Sequence, residues 1–185
     1  MESNPSWTAW HTDLTAGKGL QLDNSGGEIS PSGGHIGAVS STTITLTKGS
    51  SNNNAVNLAE EYVFYAFAPI EGYSSFGSYT GNNDTDGPFI YTGFKPAFVM
   101  MKRIDSTGNW VIFDDKRSPI NPRALQLHPN LTNVDGAGND QNFLANGWKV
   151  RATGSDVNAS SGDYIYAAFA ENPFGGSGVA QAKAV

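Results

Sequence analysis

The hydrophobic pattern of the chain repeats. Tyr62-Val-Phe-Tyr-Ala-Phe-Ala68 returns as Tyr164-Ile-Tyr-Ala-Ala-Phe-Ala170, each a short aromatic and β-branched run that closes on an Ala-Phe-Ala step between polar turn residues. Such a run is too short for a helix and its residue types favour a pleated surface, so each copy predicts a central β-strand buried on both faces. The likeness extends upstream in the same order. Val56-Asn57 corresponds to Val157-Asn158, Ile44-Thr-Leu46 to Trp148-Lys-Val150, Leu20-Gln-Leu22 to Leu125-Gln-Leu127, and Trp7 to Trp10 matches Trp110 to Phe113. Five matches in one order predict an internal duplication, roughly residues 7–70 and 110–172.

Shorter patterns fill in the rest. Residues 7–11 and the alternating Leu20-Gln-Leu22 read as strands, as do residues 36–39 and the strictly alternating 42–46. Residues 23–34, 48–54 and 130–142, dense in Gly, Asn, Asp and Ser, read as loops. Residues 97–102 form a strand that hairpins through Asp105-Ser-Thr-Gly108 onto Trp110-Val-Ile-Phe113. Ahead of Trp7 stand only residues 1–6, so the Trp7 strand is expected to lack a sequence-adjacent neighbour. It should pair with a distant segment of its own chain, such as the C-terminal tail, or with another subunit.

Composition narrows the class. The 185 residues suit one moderate domain and suffice for a core without staples, and cysteine is absent, which removes disulfides and thiolate metal sites. Charged residues make up 15% with a net charge of −6, a poor match to phosphate backbones or anionic membranes. Twenty-two glycines with 11% aromatics fit an all-β chain with many tight turns. No apolar run reaches the roughly 20 residues of a membrane span, and the first residues do not read as a signal peptide. The expected architecture is an all-β antiparallel sandwich, one domain over 1–185. Repeat 1 covers about 7–70, a Gly/aromatic crossover 71–88, repeat 2 about 89–174, and a tail 175–185.

Gly72-Tyr-Ser-Ser-Phe-Gly-Ser-Tyr-Thr-Gly-Asn82, Asp86-Gly-Pro-Phe-Ile-Tyr-Thr-Gly-Phe-Lys-Pro-Ala-Phe-Val-Met100, Asn109-Trp-Val-Ile-Phe-Asp114, Phe143-Leu-Ala-Asn-Gly-Trp148 and the run from Tyr164 to Phe174 are long and specific. With them the chain resembles a repeat domain of tailed-bacteriophage virion proteins, frequent in tail-fibre-like proteins of marine phages. The resemblance implies a jelly-roll or concanavalin-like sandwich and a virion structural or host-recognition role. It implies no catalytic residues.

Glycan binding is the chemistry such a surface can supply: aromatic rings stack on the apolar faces of sugars while Asn, Asp and backbone groups bond the hydroxyls. Tyr73, Phe76, Tyr79, Asn82, Asn83, Asp84 and Asp86 offer both kinds within one stretch, and an exposed Trp148 would add to them. The competing reading packs this stretch as a buried crossover between the halves. Asn82-x-Asp84-x-Asp86-Gly87 matches the opening of a Ca²⁺ loop, yet Gly93 stands where the twelfth, acidic ligand belongs, and a run of Asx turns explains it equally well. No other metal ligand set and no cofactor is expected.

The remaining chemistry is sparse. Glu60-Glu61 and Asp114-Asp115 are adjacent, so on a strand their side chains face opposite ways and make no acid–base couple. Glu171 ends a strand. His11, His35 and His128 lack ligand spacing, and His11 takes the place of Asp114 in the other copy. No serine sits in a Gly-x-Ser-x-Gly turn. Trp7, Trp10, Trp110 and Trp148 are read as core. Asn130-Leu-Thr and Asn158-Ala-Ser are glycosylation sequons by pattern only. The leading functional expectation is a non-enzymatic tail-fibre or tail-tip module recognising a host surface glycan. A capsid or tail decoration protein comes second and a polysaccharide-degrading enzyme third. Expected partners are other virion proteins, further copies of the chain and host surface polysaccharide, with no nucleic acid and no membrane insertion. The expected place is the virion, with synthesis in the host cytoplasm.

Overall fold

A computed structural model describes residues 6–30, 34–48 and 61–173. The Val56-Asn57 step, most of the 48–54 turn, Glu60 and the tail 175–185 lie outside the described residues. The strands are β1 (Thr8–Ala9), β2 (Leu20–Gln21), β3 (Gly34–Val39), β4 (Ile44–Lys48), β5 (Ser74–Thr80), β6 (Phe89–Tyr91), β7 (Pro96–Arg103), β8 (Trp110–Asp114), β9 (Arg123–Gln126), β10 (Gly136–Leu144), β11 (Gly147–Val150) and β12 (Asp163–Ala170), with a one-turn helix α1 (Ser155–Asn158) before β12. The protein is all-β, as its patterning requires.

Two four-stranded antiparallel sheets, ordered β5-β12-β7-β8 and β6-β11-β10-β9, face each other as a sandwich. Alternation along each strand sorts the side chains. Tyr166 and Ala168 of β12, Val99 and Met101 of β7, and Val111 and Phe113 of β8 turn inward against Phe143, Trp148 and Val150 of the second sheet. Trp148 meets Tyr166 edge to face at 4.8 Å, and Tyr79 stacks on Tyr164 at 4.9 Å with their planes 9° apart. Aromatic pairs of this kind add about 1 kcal/mol each beyond the area they bury.

The outer face of the first sheet is covered by a third layer. Ile165 and Trp110 point out of the sandwich and pack against Leu14 and Leu20, with Ala9, Trp10 and Leu22 alongside. The Trp110 indole Nε1–H donates to the Gln21 carbonyl at 2.9 Å, fixing this layer to the sheet. The Trp7 strand finds a partner within its own chain. It pairs with β2, Thr8 opposite Gln21 and Ala9 opposite Leu20. Trp110 and Trp148 are buried and Trp10 half-buried, but Trp7 is 54% exposed and is not a core residue.

The largest departure from expectation is at residues 62–68. Their twin, β12, is the central strand of its sheet, paired with β5 on one side and β7 on the other. Residues 62–68 form no strand and their side chains are exposed, Val63 by 70% and Phe67 by 67%. The reason is one of places. A doubly buried strand needs a neighbour on each side, and in this fold β12 already sits between the two that suit this sequence. The segment instead lies beside the outer face, where the Phe67 ring meets Phe76 and Phe169.

Two loop assignments also change. The crossover 71–88 contains a full strand, β5, in register with β12 over seven positions from Phe169↔Ser74 to Asp163↔Thr80. Its central Gly77 lies under the ring of Tyr166, and a Cβ there would sit 2.9 Å from the tyrosine oxygen. Glycine thus marks a close approach inside a strand and not a break in it. The second half of the 130–142 loop, from Gly136, is β10.

Candidate binding cleft

The expected glycan residues go to three separate places. Tyr79 and Trp148 lie inside the sandwich. Trp148 is fully buried, and the Tyr79 hydroxyl donates to the Val157 carbonyl at 2.9 Å, with burial pushing its pKa well above the usual tyrosine value. The Trp148 ring is closed off from solvent, and the half-buried Tyr79 ring is stacked on Tyr164. Tyr73 and Phe76 belong to the outer-face aromatic group, each edge-on to Phe169 at about 6 Å.

Asn82, Asn83, Asp84 and Asp86 form an exposed rim loop, and their polar groups are largely committed to one another. The Asn82 side-chain oxygen accepts from the Asp84 amide and the Asp84 carboxylate from the Asp86 amide, a ladder of Asx turns. The fully buried Asn158 anchors the ladder. Its oxygen accepts from the Asn82 amide, and its amide group donates to Asn82 Oδ1 and to the carbonyls of Asp84 and Ala152. Asp86 is held by Lys149 and Arg151, both at 3.0 Å, and the hydrogen bond from Lys149 is the main reason its carboxyl stays below the usual range. No three His, Asp or Glu side chains are placed together to hold a metal ion among the described residues.

The other titratable side chains serve the fold. Asp114 caps the turn after β8, accepting from the Lys116 and Arg117 amides, and Asp115 is buried beside Lys116. Glu171 pairs with Lys95 at 2.7 Å. His128 Nδ1–H donates to the Trp110 carbonyl at 2.9 Å. His11 Nε2–H donates to the carbonyl of Tyr166 at 3.2 Å, which ties the third layer to the central strand.

An open cleft lies where the third layer ends. It has a volume of about 510 Å³ and is lined by Trp7, Leu22, Asp23, Tyr65, Phe67 and Pro129. Trp7 and Tyr65 are near-parallel, 29° apart with ring centres at 6.4 Å, and with Phe67 they place three largely exposed aromatic rings along one opening. Asp23 is the only charged lining residue among the described residues. It is exposed, and no hydrogen bond or ion pair holds its carboxylate among the described residues. Apolar walls with a single convergent polar group are the usual make-up of a ligand site.

Sequence reasoning placed none of these residues in a site. Trp7, Tyr65 and Phe67 read as core because aromatic density predicts burial, and Asp23 read as part of a surface loop. The cleft exists only because residues 62–68 are displaced toward the third layer, and no local pattern encodes that displacement.

The chain belongs to the family described as Domain of unknown function (DUF7483), whose profile matches residues 1–173. No curated protein and no solved structure matches it.

Proposed function

We propose that this protein is a non-enzymatic bacteriophage virion component, a tail-fibre or tail-tip module that recognises a host surface glycan. On this reading the cleft of Trp7, Tyr65 and Phe67 is where the sugar docks. The motifs of residues 72–100, 109–114, 143–148 and 164–174 support the viral assignment by their resemblance to phage repeat domains. The observation that carries the recognition reading is the cleft itself. Exposed aromatic rings cost solvation unless something covers them, and here three of them surround an uncommitted carboxylate. The protein travels on the particle after synthesis in the host cytoplasm and assembles with other virion proteins and with copies of itself.

The test is a glycan array followed by competition of the free protein with intact virus for host cells. Binding that is lost in Tyr65→Ala, whose side chain is 68% exposed and dispensable for packing, supports the reading. Absence of binding to any glycan, with unimpaired virus adsorption, overturns it.

A purely structural decoration role has one observation in its favour. The β3–β4 hairpin is a two-stranded sheet of its own that exposes Val39, Ile44 and Leu46 by 36–41%, and isolated hairpins are marginal in water. Covering that hairpin with another virion protein would stabilise it. Release of reducing ends from host polysaccharide would be needed to support the enzymatic alternative.

A further inference from the structure

We infer that the cleft selects sugars by charge, taking amino-bearing glycans first, neutral ones next and acidic ones last. This rests on the reading of the cleft as a glycan site and adds the class of sugar it accepts. Three facts carry it. The rings of Trp7, Tyr65 and Phe67 present negative π faces, which attract an ammonium group. Asp23 adds a full negative charge at the same opening, exposed and unpaired among the described residues. Among the described residues, no lining residue is Lys, Arg or His. Recognition of a uronate or sialate carboxylate ordinarily uses an arginine fork or a lysine, and the described lining of this cleft has neither.

The size of the effect follows from the exposure of the site. A carboxylate beside a like or opposite charge about 4 Å away in water changes binding by roughly fivefold per step. The discrimination is therefore modest, and it should shrink as salt is raised because exposed charges are screened over about 10 Å at 0.1 M ionic strength. The net charge of −6 works in the same direction at longer range.

The experiment measures binding of three matched β-1,4-linked oligosaccharides of equal length that differ only in substituent: chitosan oligomers, cello-oligomers and oligoglucuronates. The whole chain and its Asp23→Asn variant are compared at low and high salt, alongside a general glycan array. The expected order is amine above neutral above acid, about fivefold apart, and Asp23→Asn compresses that order without abolishing binding. An acidic oligomer that binds as well as the neutral one, or an order unchanged by Asp23→Asn, overturns the inference while leaving the glycan reading intact. Absence of binding to the matched series and to the array removes the glycan reading and this inference with it.

Discussion

Phe67 and Phe169, the phenylalanines at equivalent places in the two Ala-Phe-Ala steps, meet edge to face with ring centres 5.7 Å apart. Their surroundings otherwise differ. Phe169 is half-buried on a central strand, with Tyr73, Phe76 and Phe98 also around it, whereas Phe67 is 67% exposed on a segment with no strand pairing. Truncating the two should therefore give unequal results. Phe169→Ala is expected to cost about 3 kcal/mol as a partly relaxed cavity. Phe67→Ala should cost about 1 kcal/mol, the value of the ring contact. Urea unfolding of both variants checks this, and equal losses would contradict the described burial.

The contact between these twins also shows where the sequence was informative. Alternation identified β4, a dense aromatic and β-branched run identified β12, and a hairpin turn between two apolar runs identified β7 and β8. Residues 62–68 carry the same signal as β12, but whether a strand forms depends on free neighbours elsewhere in the chain, and β5 and β7 are already taken. β5 itself was hidden by small residues. Gly77 and Ser75 leave room for Tyr166, so the strand is identified by the ring above it and not by its own side chains. For the site, the stretch that the sequence singled out for its aromatic rings, Asn and Asp does not stay together in the fold. Residues 73–86 are drawn into the sandwich, the outer-face cluster and the Asn158 ladder.

Asn158 should be the most sensitive polar residue of the rim. Its buried amide satisfies one donor and three acceptors, counting Asn82 Oδ1. Asn158→Ala removes the buried side chain that holds the backbone of Asn82, Asp84 and Ala152, at an expected cost of about 2 kcal/mol for the lost hydrogen bonds. Hydrogen exchange at the Asn82 amide should accelerate first, with exchange in β12 following the global stability. The glycan binding proposed for the Trp7, Tyr65 and Phe67 cleft, which does not include Asn158, should be unchanged below the unfolding transition.

His11 makes the third layer acid-sensitive. With Nε2–H donating to Tyr166, its Nδ1 accepts from the Asp13 amide at 3.1 Å, so the neutral ring is satisfied at both nitrogens. Protonating Nδ1 would set one N–H against another. Burial is the main cause that holds its pKa below 6.5, opposed in part by Asp13 and by the Tyr166 carbonyl. The unfolded chain then takes up the proton first, so the stability His11 confers is full above pH 6.5 and is lost as pH falls through the lower folded pKa. Unfolding midpoints of the parent and His11→Gln between pH 7 and 4 should converge on acidification. A constant difference would count against this assignment.

Lys102 works at the other end of the scale. Its side chain is fully buried, and its Nζ donates to the carbonyls of Arg103 at 2.7 Å and Ser25 at 3.3 Å, which fastens the 23–28 loop to β7. Burial is the dominant cause that lowers its pKa from 10.5 to about 8, with Asp156 opposing. Between those two values the unfolded chain holds a proton that the folded one has released, so stability rises with pH over that interval. Below pH 8 both forms are protonated and the contribution is flat. Lys102→Met removes the titrating group, so the parent should gain on the variant as pH climbs from 8 to 10, read from urea midpoints. The scan stops at pH 10 because burial raises the pKa values of Tyr79 and Tyr164, and their ionisation in the unfolded chain would pull stability the opposite way. Parallel curves for parent and variant would mean that Lys102 keeps its proton in the folded protein and that Asp156 outweighs burial.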